Sequence, residues 1–312
     1  MEFCFFMTAV LEKINAEILS EPQKIVLETE ENYRTQINRI AKTIADNDDI
    51  KIVFLAGPSG SGKTTSAHLL RERLACLGEK TAVLSLDDFY LPEDELPILA
   101  DGSIDYESVN TLDLPLLRKC FEEIIASGKT VLPRFDFATK VRDVSAIPID
   151  VGSIGIVIVE GLHALNPLIV SLVERKNTFK VYVSVNDGIV DESGNTVLTS
   201  HQIRLARRML RDEKFRSASP ELTLHFWENV VVEEKKHLYA YKKTADICLV
   251  TLHSYEPCLY RNHIEKAMKQ VHSDVPCYDF FMDMATNILR FCALSDKFVP
   301  NDSLLREFIG SN

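Results

Sequence analysis

Short apolar runs rich in β-branched residues recur along the chain, at 51–56, 81–86, 154–159, 179–185 and 246–250. Bounded by turn formers, such runs read as strands buried on both faces. The run Ile154-Gly155-Ile156-Val157-Ile158-Val159 is the most hydrophobic and is expected at the centre of the sheet. Between strands the period becomes helical. Ala67, Leu70, Leu74 and Leu77 form one apolar stripe, ended by Gly78. Leu114, Leu117, Phe121 and Ile124 form another, opened by Asp113 as N-cap with Pro115 in the first turn and closed by Gly128. Ahead of the first strand, Ile37, Ile40, Ala41 and Ile44 predict an amphipathic packing helix, whereas residues 1–30 give no assignable pattern. Helical spacing returns at about 257–270 and 277–293, and a terminal segment spans 304–309. Thr130-Val131-Leu132-Pro133 reads as an edge segment, because Pro133 has no N–H for a ladder. The pattern predicts an α/β fold in three layers with a mainly parallel sheet and right-handed crossovers.

The first strand runs into Gly57-Pro58-Ser59-Gly60-Ser61-Gly62-Lys63-Thr64, which fits G-x-x-x-x-G-K-[ST]. Glycines let the backbone turn its N–H groups onto one anion at close range. A helix starting near Lys63 adds its N-terminal dipole. The Lys63 ammonium can reach β and γ phosphates, and the Thr64 hydroxyl is placed for Mg²⁺. Asp87 and Asp88 stand at the end of the second strand, where ligands bind in open α/β sheets. Successive side chains diverge, so one of the two carboxylates is expected in a site; the other reading is a turn cap. Glu160 ends the third core strand, the place for an acid that organises Mg²⁺ and its waters. Arg204, Arg207, Arg208 and Arg211 share one helix face, with Lys214 and Arg216 beyond. Their mutual repulsion calls for an anion, and a triphosphate would serve; the other reading is a solvated basic face. Arg134-Phe135-Asp136-Phe137, with Lys140 and Arg142, reads either as a clamp on a flat ring or anionic substrate, or as a surface β-ribbon. Trp227 is expected in the core.

The formal net charge of −11 argues against a nucleic-acid partner. The seven cysteines are scattered without a C-x-x-C pair, which sets aside zinc and dithiol chemistry and suggests a reducing, cytoplasmic setting. The apolar start, Met1 to Met7, lacks a basic flank, so no signal peptide is expected, and no apolar run is long enough for a membrane span.

Four motifs, in order, carry a resemblance: Gly57 to Thr65, Ser85-Leu86-Asp87-Asp88-Phe89-Tyr90, Val159-Glu160-Gly161, and Arg204-Leu205-Ala206-Arg207-Arg208-Met209-Leu210-Arg211-Asp212. Together they resemble the uridine kinase/phosphoribulokinase family of phosphate-loop kinases, over about residues 50–250. The stretch from Asp302 to Gly310 is similar to the long bacterial-type uridine kinase-related branch. The resemblance implies a P-loop NTPase three-layer fold over 49–252, with an N-terminal helical extension, 1–48, and a C-terminal one, 253–312. It implies ATP and Mg²⁺ as cofactors. The nucleotide would be held by Gly57, Ser59, Gly60, Ser61, Gly62, Lys63, Thr64, Thr65, Arg204 and Arg208, and the metal by Thr64, Asp87 and Glu160. Asp87 would take the proton of the acceptor hydroxyl, and Lys63, Arg207 and Arg211 would supply positive charge to the moving phosphoryl group. Asp87, Tyr90, Glu107, Asn110, Phe135, Lys140 and Arg204 would line the acceptor pocket.

The chain departs from that family at three places. Asn110 stands where an aspartate binds the ribose hydroxyls, Phe135 and Lys140 replace a tyrosine and a histidine that read the pyrimidine, and Arg216-Ser217 replaces the lid's Arg-Gly. The expected function is ATP-dependent phosphorylation of a small-molecule hydroxyl, foremost the 5′-hydroxyl of uridine or cytidine. One alternative is the same chemistry on another nucleoside or a sugar phosphate. Another is a nucleotide-binding regulatory protein without turnover. The resemblance leaves homo-oligomers open.

Overall fold

The computed structural model describes residues 9–98, 108–136, 141–153, 155–185 and 188–310. In chain order the elements are β1 (Ala9–Val10), α1 (Leu11–Ser20), α2 (Pro22–Ala45), β2 (Ile52–Ala56), α3 (Lys63–Cys76), β3 (Thr81–Ser85), α4 (Leu114–Ser127), β4 (Lys129–Asp136), β5 (Val141–Asp150), β6 (Ile156–Glu160), α5 (Pro167–Val170), β7 (Thr178–Ser184), β8 (Ile189–Val190), β9 (Thr196–Leu198), α6 (Ser200–Arg216), α7 (Pro220–His237), β10 (Ile247–Val250), α8 (Glu256–Ala267), α9 (Tyr278–Ile288) and α10 (Arg306–Ile309).

Five strands form one parallel sheet in the order β10-β7-β2-β6-β3. Alternate strand residues feed two cores, because successive side chains leave opposite faces of a strand. Val53, Leu55, Ile158, Val181 and Val183 pack against α2, α3, α6 and α8. Ile52, Phe54, Val157, Val159 and Tyr182 pack against α4 and α5. Those are the three layers that the hydrophobic pattern predicts. The central strand, however, is β2 and not the more apolar β6, which lies beside it. Both are buried along their whole length, so hydrophobicity alone could not rank them. The central place matters for function. From β2 the chain crosses to β3 on one side, while β7 and β10 build the other, and the crevice at that switch lies at the strands' carboxyl ends.

Two local features differ from the pattern reading. The N-terminal helix α2 starts at Pro22, well before the stripe at Ile37, and its first half buries Ile25, Val26, Glu30 and Tyr33. The polar Glu30 and Tyr33 in that half interrupt the apolar signal. The segment around Pro133 belongs to a long antiparallel hairpin, β4–β5, whose register shifts between Leu132 and Arg134. The missing N–H of Pro133 falls in that irregularity, so the ladder loses little.

Helix α6 begins with a capping box between Thr199 and Gln202 and ends at Ser217, which takes φ 51°, ψ 30°. This left-handed conformation costs an L-residue about 1 kcal/mol and costs glycine almost nothing. The expected result for Ser217→Gly is therefore a gain of up to about 1 kcal/mol in urea unfolding; a loss would mean the αL strain is absent. No helix among the described residues is long and apolar enough to cross a membrane.

Candidate functional site

The loop leaving β2 is shaped by its back wall. Gly60 and Gly62 have φ 73° and 83°, and a Cβ on Gly62 would lie 2.6 Å from Leu304 Cδ1. The space behind the loop at Gly62 is thus full. Helix α3 starts at Lys63, so the amides of its first turn have no helical partner. The Ser61 hydroxyl is buried without a hydrogen-bond partner among the described residues. An orphaned donor beside the unpaired first-turn amides of a helix fits an anion. Lys63 is half-buried and donates to the Pro58 carbonyl at 3.2 Å. Burial lowers the pKa of its ammonium, while Glu160, Glu234, Asp87 and Glu307 pull it up. The Thr64 hydroxyl lies on an exposed residue of the same turn.

Facing this loop stand two carboxylates from adjacent strands. Ser85 and Glu160 are register partners in β3 and β6, and the Ser85 hydroxyl donates to Glu160 Oε1 at 2.8 Å. Two residues further, Asp87 opens to the cleft but is walled in on its other sides. Burial raises its pKa above the ordinary carboxylate value, with Lys63 acting against it. Burial raises Glu160 in the same way, again opposed by Lys63. Asp88 turns away and accepts the Phe135 N–H at 3.3 Å, pinning the hairpin. No group of three or more His, Cys, Asp or Glu side chains among the described residues could cage a metal. Two carboxylates and an open hydroxyl instead fit Mg²⁺, which takes few protein ligands and draws the rest from phosphate and water.

The arginines of α6 divide, which corrects the expectation of a common phosphate-facing row. Arg204 is 2% exposed and Arg207 0%. Arg204 pairs with Glu234 through bonds of 2.6 Å, donates to the Ser59 carbonyl at 2.8 Å and lies over the Trp227 ring. Arg207 pairs with Glu256 at 2.6 Å and donates to Gly60 O at 3.1 Å and to Thr251 O. Both grip the phosphate loop from behind through its carbonyls, so their guanidinium groups are not turned to a ligand. Glu234 completes the grip by accepting the Ser59 N–H at 2.6 Å. Arg208 and Arg211 remain partly accessible; Arg208 donates to the Ser59 hydroxyl at 3.1 Å, and both are tied to Asp212.

The profile of the Phosphoribulokinase / Uridine kinase family matches residues 52–256, more than half of the chain. The chain belongs to this family. Among similar proteins, a uridine kinase of Deinococcus deserti is 27% identical over 67% of this chain and 91% of its own. A uridine kinase of Lactobacillus helveticus is 30% identical over 54% of this chain and 70% of its own. The solved D-glycerate 3-kinase of Cryptococcus neoformans is 19% identical, with a TM-score of 0.42 over 70% of this chain and 88% of its own. As a phosphoribulokinase/uridine kinase family member the chain is a phosphotransferase of the phosphate-loop kinase type.

In this family member the wall next to Asp87 is aromatic. The Tyr90 and Phe135 rings lie 5.7 Å apart at 44°. Arg142, expected as a contact for an anionic substrate, donates instead to Asp113 Oδ2 at 2.8 Å and to the Tyr90 carbonyl at 3.0 Å. It fastens the hairpin to the start of α4 and to this wall. Asn110 is exposed on a single turn, with its N–H held by the Ser108 hydroxyl. Glu107 and Lys140 lie outside the described residues. The residues that sequence reasoning missed are carboxylates: Glu234, Glu256 and Glu307. Glu234 sits in the acidic-basic run Glu233-Glu234-Lys235-Lys236, and only the unmet charge of the buried arginines could have pointed to it.

Proposed function

We propose that this kinase transfers a phosphoryl group from Mg·ATP to a hydroxyl of a small nucleoside, with the 5′-hydroxyl of uridine or cytidine the foremost acceptor. The observation that carries the reading is the placement of Asp87 and Glu160 on neighbouring strand ends opposite Lys63 and the open phosphate loop. Mg·ATP supplies the phosphoryl group and a divalent charge to balance it. The chain's own part is positioning and proton handling. Asp87 accepts the acceptor's hydroxyl proton, Lys63 and Arg211 offset developing negative charge, and Thr64, Asp87 and Glu160 would hold the metal. Tyr90 and Phe135 offer a flat base an apolar wall to stack on. The names of the relatives support uridine as the acceptor.

One feature favours a second reading, the same transfer to another nucleoside. Phe135 brings no hydroxyl to the pocket wall, and a site with fewer polar readers rejects analogues less sharply. A sugar phosphate gains no support from Arg142, whose Nη1 and Nη2 are turned to Asp113 and to the Tyr90 carbonyl. The test is ADP release with Mg·ATP in the presence of uridine, cytidine, purine nucleosides and sugar phosphates in turn. Stimulation by the pyrimidine nucleosides is the expected result. Stimulation by a purine nucleoside alone would move the acceptor assignment, and silence with all of them would sink the transfer reading.

A further inference from the structure

The turn carrying α10 lies far from the phosphate loop in sequence and against it in space. Leu304 fills the space behind Gly62. The Phe308 ring stacks on the guanidinium of Arg207, which itself holds Gly60 O. Between these contacts Glu307, half-buried, accepts the hydroxyl hydrogen of Thr65 at 2.6 Å. The turn is fixed in this position from the other side, because the Ser303 hydroxyl donates to the buried Glu30 of α2 and Arg34 of the same helix forks onto Asp302 at 2.9 and 3.0 Å. Glu307 is thus a built part of the loop's surroundings, and its charge reaches both Lys63 and Glu160.

We infer that Glu307 is a residue of the nucleotide site that limits affinity for the phosphates by holding the Thr65 hydroxyl. The inference rests on the phosphate-loop reading above. A threonine hydroxyl has one hydrogen to give. While Glu307 accepts it, a phosphate oxygen can use the first-turn amides of α3 but gains nothing from this hydroxyl. The carboxylate also places a negative charge beside an anion site, in partly dry surroundings where screening is weak. Both effects oppose nucleotide binding. A kinase benefits from this, because a loop that holds ATP tightly by ground-state contacts holds ADP equally tightly and delays its departure.

The test is calorimetric titration of the full chain with Mg·ATP and Mg·ADP for wild type, Glu307→Ala, Thr65→Val and the double variant. Glu307→Ala is expected to tighten both nucleotides by about fivefold, the scale of one charge-assisted hydrogen bond partly realised. Thr65→Val is expected to cost more affinity in the Glu307→Ala chain than in wild type, and this coupling reads the shared hydroxyl. A carboxylate that merely staples the turn predicts the opposite: a lower melting temperature and weaker binding on its removal. That result, or two additive variants, overturns the inference. Glu307→Met keeps roughly the size of the side chain, brings no oxygen to accept the Thr65 hydroxyl, and answers the same question if the alanine variant folds poorly. Wild type that binds neither nucleotide would instead remove the phosphate-loop reading and the inference with it.

Discussion

Asp87→Asn is expected to lower kcat by about 10²–10⁴-fold with every accepted acceptor, and to weaken Mg·ATP binding far less. The change keeps the shape of the side chain and removes its ability to take a proton. The position makes the effect specific: Asp87 opens to the cleft opposite Lys63, whereas Asp88 spends its carboxylate on the Phe135 N–H. The pH profile supplies a second readout. Burial raises the Asp87 pKa above 3.8, and the base works only when deprotonated. The acid limb of kcat/KM should therefore lie at higher pH than an ordinary aspartate gives, with activity present above the limb and lost below it. In Asp87→Asn the contribution of this group to the limb disappears. An asparagine variant with nearly full kcat would show that the proton leaves by another route.

The largest stability effect is expected from Glu256→Ala. Glu256 is fully buried, bonds both Nε and Nη2 of Arg207, and accepts from the Tyr260 hydroxyl and the His253 N–H. Truncation leaves a guanidinium at 0% exposure without its counter-charge. Breaking a buried pair in this way costs about 3–5 kcal/mol. Arg207 also holds Gly60 O, so the surviving fraction should bind Mg·ATP more weakly. Equilibrium urea unfolding measures the first effect. Arg211→Ala is the comparison: its side chain keeps 15% exposure and pairs with the neighbouring Asp212, which Arg208 and Arg216 also hold, so its loss leaves no dry unpaired charge and should cost clearly less than Glu256→Ala. Equal effects from the two variants would mean that Arg207 and Glu256 are not packed as a dry pair.

Much of the sheet was legible in sequence because its signal is local. The inner strands β2 and β6 are buried on both faces and therefore spell continuous apolar runs, and Asp113 and Gly128 bound α4 by capping chemistry that needs no knowledge of the fold. The phosphate loop was legible for the same reason, as a contiguous motif between a strand and a helix. The fate of the arginines was not. Four cations on one helix face require compensation, and the sequence reading assigned it to a bound triphosphate. Arg204 and Arg207 find it in Glu234 and Glu256, which lie 30 and 49 positions away. Pairing between remote side chains leaves no periodicity to read, and an acidic residue in a charged run looks like surface until the fold buries it. The first half of α2 escaped for a related reason, since the buried Glu30 is polar in sequence and core in space.

Glu307 and Ser303 meet partners 242 and 273 positions earlier, on Thr65 and Glu30. The order of synthesis gives this closure a consequence. A ribosome delivers the phosphate loop and Glu160 long before the turn at 303–310, so a nascent chain can hold every motif of a kinase while the rear wall behind Gly62 is still open. Competence to bind nucleotide in the mature manner then arrives late and abruptly, when the last long-range contacts form. Stalled chains ending before that turn would carry the full catalytic spelling without the finished loop.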